Sequence, residues 1–269
     1  MNDIHVLEKV AATLIPGAQL VDTKQTFFSH LGFFSASGSK MRVLQQLLPH
    51  IPCDNEDFPR VKAATETFIT ELSARNIALP EMDLVLNEQG LFMISDYAGP
   101  DLLEYLSGIS DLTKVESVLE ELVLLIQGAL LQDQDEPVIG LDLQLSNFGI
   151  NGGLAYLDPF PPLVRTENEL WVHYPQPVFE GDFEKELKRK FRRFGTLRRL
   201  RADLMKLNPA YADILNRVLV SVLGTVGQEV VEKFEELPDK HILHISKPEA
   251  IQIVTELGTG DKDTLRELA

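Results

Sequence analysis

The sequence predicts an α+β protein of two lobes, a small antiparallel β-rich lobe containing one helix and a larger, mostly helical lobe. Three observations lead there. Residues 18–95 contain several short β-like runs separated by turn signals, with a single helical pattern among them. From residue 101 onward the apolar spacing becomes predominantly helical. Between the two lies a five-residue connector, Asp96-Tyr97-Ala98-Gly99-Pro100, rich in residues that interrupt regular structure. The expected organisation is an N-lobe over 1–95, a hinge over 96–100 and a C-lobe over 101–269.

Before the meander, Ile4, Leu7, Val10, Ala11 and Leu14 fall at helical spacing, and Pro16-Gly17 ends that pattern. Thr26-Phe27-Phe28, Phe33-Phe34 and Met41-Arg42-Val43-Leu44 read as strands, with Ser37-Gly38-Ser39 as a hairpin turn. Val61, Ala64, Phe68, Ile69 and Leu72 define a helix over 60–75, closed by Asn76 and Pro80. Residues 82–86 and 91–95 read as a hairpin around Asn87-Glu88-Gln89-Gly90. A short helix is expected over 101–106 and a long, largely buried one over 112–131. A mixed β patch follows over 138–156, turning at Asn151-Gly152-Gly153. Helical patterns resume over 180–207 and 211–237, and the chain after Pro238 is polar and weakly patterned.

The 269 residues are 44% hydrophobic, enough for a sizeable core. A net charge of −16 sets most of the surface against nucleic acid and anionic membranes. The single cysteine, Cys53, allows no intramolecular disulfide, which fits a reducing compartment. The N-terminus has no basic, apolar, signal-like pattern. No apolar run approaches the ~20 residues of a membrane span. A cytoplasmic location is the expectation.

The segment that carries chemistry is Gly140-Leu141-Asp142-Leu143-Gln144-Leu145-Ser146-Asn147, followed by Leu154-Ala155-Tyr156-Leu157-Asp158-Pro159-Phe160. Asn147 lies five residues after Asp142, and Asp158 eleven further on. Phosphoryl transfer needs a carboxylate to orient the attacking hydroxyl, and an amide oxygen with a second carboxylate to hold Mg²⁺ against nucleotide phosphates. A tight loop beside a hairpin can gather those three side chains. The plainer alternative is that Asp142 and Asn147 are turn and cap residues and Asp158-Pro159 a strand exit.

These residues resemble the protein-kinase-like superfamily, and more closely its small-molecule branch of aminoglycoside phosphotransferases and choline kinases. The catalytic loop of that family reads D-L-x-x-x-N, matched here from Asp142 to Asn147. The resemblance covers roughly residues 18–165. It implies Asp142 as the catalytic base, Asn147 and Asp158 as Mg²⁺ ligands, and ATP as the nucleotide. It also implies a basic residue on the third strand, where Arg42 or Lys40 stands, paired with a helix glutamate, Glu66 or else Glu71. The backbone of Asp96, Tyr97 and Ala98 would read adenine. The acceptor would be a small molecule or a peptide. The chain departs from the family in having Gly140-Leu141 before Asp142, Asp158-Pro159-Phe160 as its third motif, and no glycine-rich loop. Those departures motivate a second reading, a pseudokinase-like nucleotide-binding or interaction module without turnover.

Ten of the chain's 25 Lys and Arg residues lie between Lys185 and Lys206. Phe183, Leu187, Phe191, Phe194 and Leu197 thread through them at helical spacing, so one face should pack. The segment is either a solvated face balancing neighbouring acids or a contact for an anionic ligand. No stacking aromatics alternate with the charges, which argues against nucleic acid. The six histidines form no metal-ligand pattern. Trp171 and Tyr174, among Pro161, Pro162, Pro175 and Pro177, suggest a structured loop closing the core.

Overall fold

The computed structural model describes residues 3–25, 29–36, 41–47, 58–165 and 189–236. Lys40, the Ser37–Ser39 turn, the 26–28 run, Cys53, the Trp171–Tyr174 loop, Lys185, Lys188 and the chain beyond Glu236 lie outside them.

The fold is two-lobed and α+β, with an antiparallel sheet lobe followed by a helical lobe. The sheet contains β1 (Gln19–Gln25), β2 (Ser29–Ser35), β3 (Met41–Leu47), β4 (Met82–Asn87) and β5 (Gly90–Asp96), in the order β1-β2-β3-β5-β4. Every neighbouring pair is antiparallel. The strand before the first turn is Gln19–Gln25, whose polar text gives little β signal, and it carries a bulge between Leu20 and Asp22. The 87–90 turn is as expected, with Asn87 Oδ1 accepting from Gln89 N.

A helix covers each face of the sheet. Strand residues alternate sides, so Arg42, Leu44 and Gln46 of β3 share one face and Val43, Gln45 and Leu47 the other. The Leu44 face packs with Phe34, Phe92 and Ile94 against Leu7, Val10, Ala11 and Ile15, from α1 (Asp3–Leu14) and the turn after it. The Leu47 face packs with Leu91 against Val61 of α2 (Phe58–Ala74) and against Phe160 from the helical lobe. Further along the same stripe, Phe68 and Leu72 of α2, with Ile77 just after it, are buried in the large core with the C-lobe helices.

The connector runs from Asp96 to Asp101, which caps α3 (Leu102–Ser107) by accepting from Glu104 N. Asp111 similarly caps α4 (Leu112–Leu130), a 19-residue helix with eight buried residues that forms the spine of the lobe. After it come a 3-10 turn (Leu145–Asn147) and a two-stranded ribbon, β6 (Phe148–Ile150) with β7 (Leu154–Tyr156). Three helices close the lobe: α5 (Arg193–Leu207), α6 (Pro209–Leu223) and α7 (Thr225–Glu236). Asn208 caps α6 by accepting from Ala210 N, and Pro209 begins the helix.

One expectation is corrected here. The helical pattern over 211–237 is two helices, parted at Gly224, whose φ of 59° lies in the left-handed region. The apolar period continues on both sides of the break because both helices bury the same core, through Leu223 and Val230.

Candidate phosphotransfer site

Asp142 and Asn147 lie on one loop whose geometry is fixed by its own hydrogen bonds. Asn147 N donates to Gln144 O at 2.9 Å, and Asn147 Nδ2 donates to Asp142 O at 3.1 Å. With its amide nitrogen committed to the loop, the side chain keeps its oxygen as an acceptor. Leu143 and Leu145 between them are fully buried, which pins the loop to the core by alternate side chains.

The ribbon then returns the chain to the same place. Phe148 pairs with Tyr156, and Leu157 N donates to Asn147 O at 2.8 Å. Asp158 therefore follows directly on a residue bonded to Asn147. The two carboxyls are close enough for the Asp142 charge to act on Asp158. So the structure gathers Asp142, Asn147 and Asp158, as the spacing suggests.

The two carboxyls have opposite electrostatic fates. Burial pushes Asp142 up, but Lys190 Nζ, donating to Oδ2 at 2.5 Å, outweighs it together with Arg199 and with Gln144, and the net effect is downward. Asp142 is held ionised. Asp158 is pushed up to about 7, first by burial and then by the Asp142 charge. Lys190, the Phe160 backbone and the Gln45 side chain oppose that rise without cancelling it. A part-buried carboxyl left short of positive charge is a place where a cation gains binding energy. A carboxylate with a neighbouring amide oxygen also matches the sparse protein donor set that suits Mg²⁺ when phosphates complete the shell. Asp158 and Asn147 therefore fit the metal. Among the described residues no three His, Cys, Asp or Glu side chains form a self-sufficient metal cage.

The N-lobe contribution differs from expectation. Arg42 faces α1, on the side of the sheet away from Asp158. Its Nε lies 3.2 Å from Asp96 Oδ1, the residue opposite it on β5. Glu66 forms an ion pair with Lys62, and the alternative Glu71 with Arg75. The expected pairing of Arg42 with Glu66 is thus not formed; strand alternation separates them. The β3 residue that reaches the site is Gln45, which hydrogen-bonds Asp158 and donates to buried Ser29 Oγ at 2.8 Å. Residue type draws attention to Arg42, whereas position on the strand selects Gln45.

At the connector, Asp96 N donates to Glu81 O and Tyr97 N to Met41 O, both at 3.0 Å. The Tyr97 ring stands edge-on to Phe33, on the same sheet face as Gln45, with centroids 6.1 Å apart. Its phenol is pushed up by burial and by Glu104 and Asp101. Ala98 O lies close above Gly149, where a Cβ would be only 2.7 Å away, and Ile150 N donates to Pro100 O at 3.1 Å. The connector is therefore stitched to the ribbon that follows Asn147.

Several residues in the described part of the basic segment are engaged within the chain. Arg193 Nε donates to Leu130 O, Arg192 reaches Gln134 O, and Arg199 and Lys206 pair with Asp203. Arg201 lies over the Phe234 ring at 5.2 Å. Lys190 is the member that enters the site, and nothing in the sequence distinguishes it from its basic neighbours.

No family model matches the chain, and no curated protein matches it. Among solved structures it is similar to the crystal structure of the Mycobacterium tuberculosis PknI kinase domain, at 14% identity and a TM-score of 0.43. That similarity covers 82% of this chain and 96% of the other.

Proposed function

We propose that this chain is a Mg²⁺- and ATP-dependent phosphotransferase of kinase-like fold, acting on a small molecule or a peptide. In this reading Asp142 orients and deprotonates the acceptor hydroxyl, and Asp158 and Asn147 hold the metal. Tyr97 and Ala98 border the adenine. The observation that carries it is the unequal treatment of the two carboxyls, one held ionised and the other short of a cation. A base and a metal ligand need that division of labour. Bound Mg²⁺ would supply neutralisation of the phosphate charge. Kinship with the small-molecule branch rests on the third motif, Asp158-Pro159-Phe160, which departs from the D-F-G of protein kinases.

The pseudokinase-like reading has its own support: the β3 residue at the site is the neutral Gln45, and Asp142 already has a counter-ion in Lys190. One experiment separates the two. Melting temperature is measured with ATP, with and without Mg²⁺, and ATP consumption is followed over hours with a panel of hydroxyl acceptors. Metal-dependent stabilisation with turnover supports the enzyme. Stabilisation without turnover supports the binding module. Turnover that persists in Asp158→Ala would refute the proposed metal role.

A further inference from the structure

Building on the phosphotransfer reading, we infer that Lys190 is the phosphate-binding cation of this cleft, so that the basic contribution comes from the C-lobe side rather than from strand β3. Three described cations of the N-lobe are engaged elsewhere. Arg42 faces α1, Lys62 is bound to Glu66, and Lys24 lies 3.5 Å from Asp101. The β3 side chain that does reach Asp158, Gln45, carries no charge. Among the described residues, a polyphosphate entering here would meet two carboxyls with no sheet cation directed at them, a repulsive arrangement unless another positive charge is built in.

Lys190 is built in. Its backbone oxygen accepts from Leu141 N at 3.0 Å, directly beside Asp142. The neighbouring Phe191 is 1% exposed. Gly140 leaves room for this approach: a Cβ there would lie 3.1 Å from Lys190 O. Thr196 Oγ1 donates to Leu141 O at 2.6 Å, so the chain around Lys190 grips Leu141 through both its N–H and its C=O. The anchored backbone fixes where the side chain begins, and the ammonium ends on Asp142 with its charge felt by Asp158.

An ammonium has three donors. Among the described residues Lys190 spends one, on Asp142 Oδ2. Among those residues the other two have no acceptor, which leaves them for an oxyanion. Lys190 and Asp142 are only 19% and 16% exposed, so an anion bound there is poorly screened by solvent and interacts strongly. Arg199 adds a second positive charge from slightly further away, itself paired to Asp203.

The test compares ATP with adenosine, which share the base and sugar but not the phosphates. Affinities are measured by calorimetry in Mg²⁺ for the wild-type chain, for Lys190→Met and for Lys190→Arg. The double variant Lys190→Met with Asp142→Asn removes both charges of the pair and leaves no unpaired buried carboxylate. It thus gives a folded reference should Lys190→Met alone unfold, with circular dichroism checking each protein. The expected result is an ATP affinity reduced about tenfold or more in both Met variants, adenosine affinity unchanged, and ATP affinity largely kept by Lys190→Arg, the size of loss a charge-assisted phosphate contact carries. Equal loss for ATP and adenosine would mean that Lys190 only props the fold, and unchanged ATP affinity would mean that the phosphates lie elsewhere. Either result overturns the inference while the phosphotransfer reading stands. A wild-type chain that binds neither ligand would overturn both.

Discussion

Replacing Asp158 with Asn should stabilise the protein at alkaline pH and do almost nothing at acidic pH. The folded-state carboxyl titrates near 7, against an ordinary value of 3.8. The folded protein therefore binds a proton more tightly than the unfolded chain, and stability from this group falls as pH rises. The loss begins near pH 4 and is complete above pH 7. A gap of roughly three in pKa, at about 1.4 kcal/mol for each, sets an upper limit of about 4 kcal/mol. Relaxation around the site should reduce that to about 2–3 kcal/mol, worth roughly 2–4 °C in Tm per kcal/mol. At pH 5 Asp158 is protonated and nearly equivalent to Asn in shape and charge. The assay is a set of thermal melts of both proteins in metal-free buffer from pH 5 to 8. About two thirds of the loss falls within that interval, so the melting-temperature advantage of Asp158→Asn should widen by about 3–8 °C across it. Adding Mg²⁺ with ATP at pH 8 should raise the wild-type melting temperature and leave the variant unmoved. Parallel curves at all pH values would show that Asp158 is not short of positive charge, and the argument for a cation there would fail with it.

Other perturbations have equally definite outcomes. Lys190→Met alone strands a buried carboxylate and should cost about 3–5 kcal/mol in chemical denaturation, most of it restored by adding Asp142→Asn. Gly99→Ala forces a Cβ to within 2.1 Å of Ile150 O at a φ of +82°, so it should lower stability by about 2–4 kcal/mol and loosen the connector, read as faster amide exchange at Ile150. Asn208→Ala removes the α6 cap and should cost about 1 kcal/mol with no change in nucleotide binding.

The elements readable in the sequence are those whose apolar period matches one buried face. Helix α4 is the clearest, since its buried residues recur at three and four from Val115 to Leu130. The site loop is readable because three polar residues interrupt an otherwise apolar stretch at spacings that serve a known chemistry. Strand β3 is harder. Both of its faces are covered, one by α1 and the other by α2 and Phe160, so polar and apolar residues do not alternate and the sequence does not declare which face meets the site. Charge favours Arg42, yet its cross-strand neighbours Phe34 and Asp96 place it on the α1 side. Lys190 is hidden for another reason. Its contact with Asp142 spans 48 residues, and no local period marks one lysine among ten basic side chains.

Helix α1 shields a continuous greasy plate formed by Phe34, Leu44, Phe92 and Ile94. It is held there by side-chain packing on the sheet face opposite the one that carries Gln45. A shortened chain beginning at Gln19 would keep every residue of the Asp142–Asp158 ensemble and still present that plate to water. Two such plates brought face to face would hide their grease from solvent at little cost. Trimming the first eighteen residues is thus a recipe for self-association, and the leading helix serves as the protein's own guard against it.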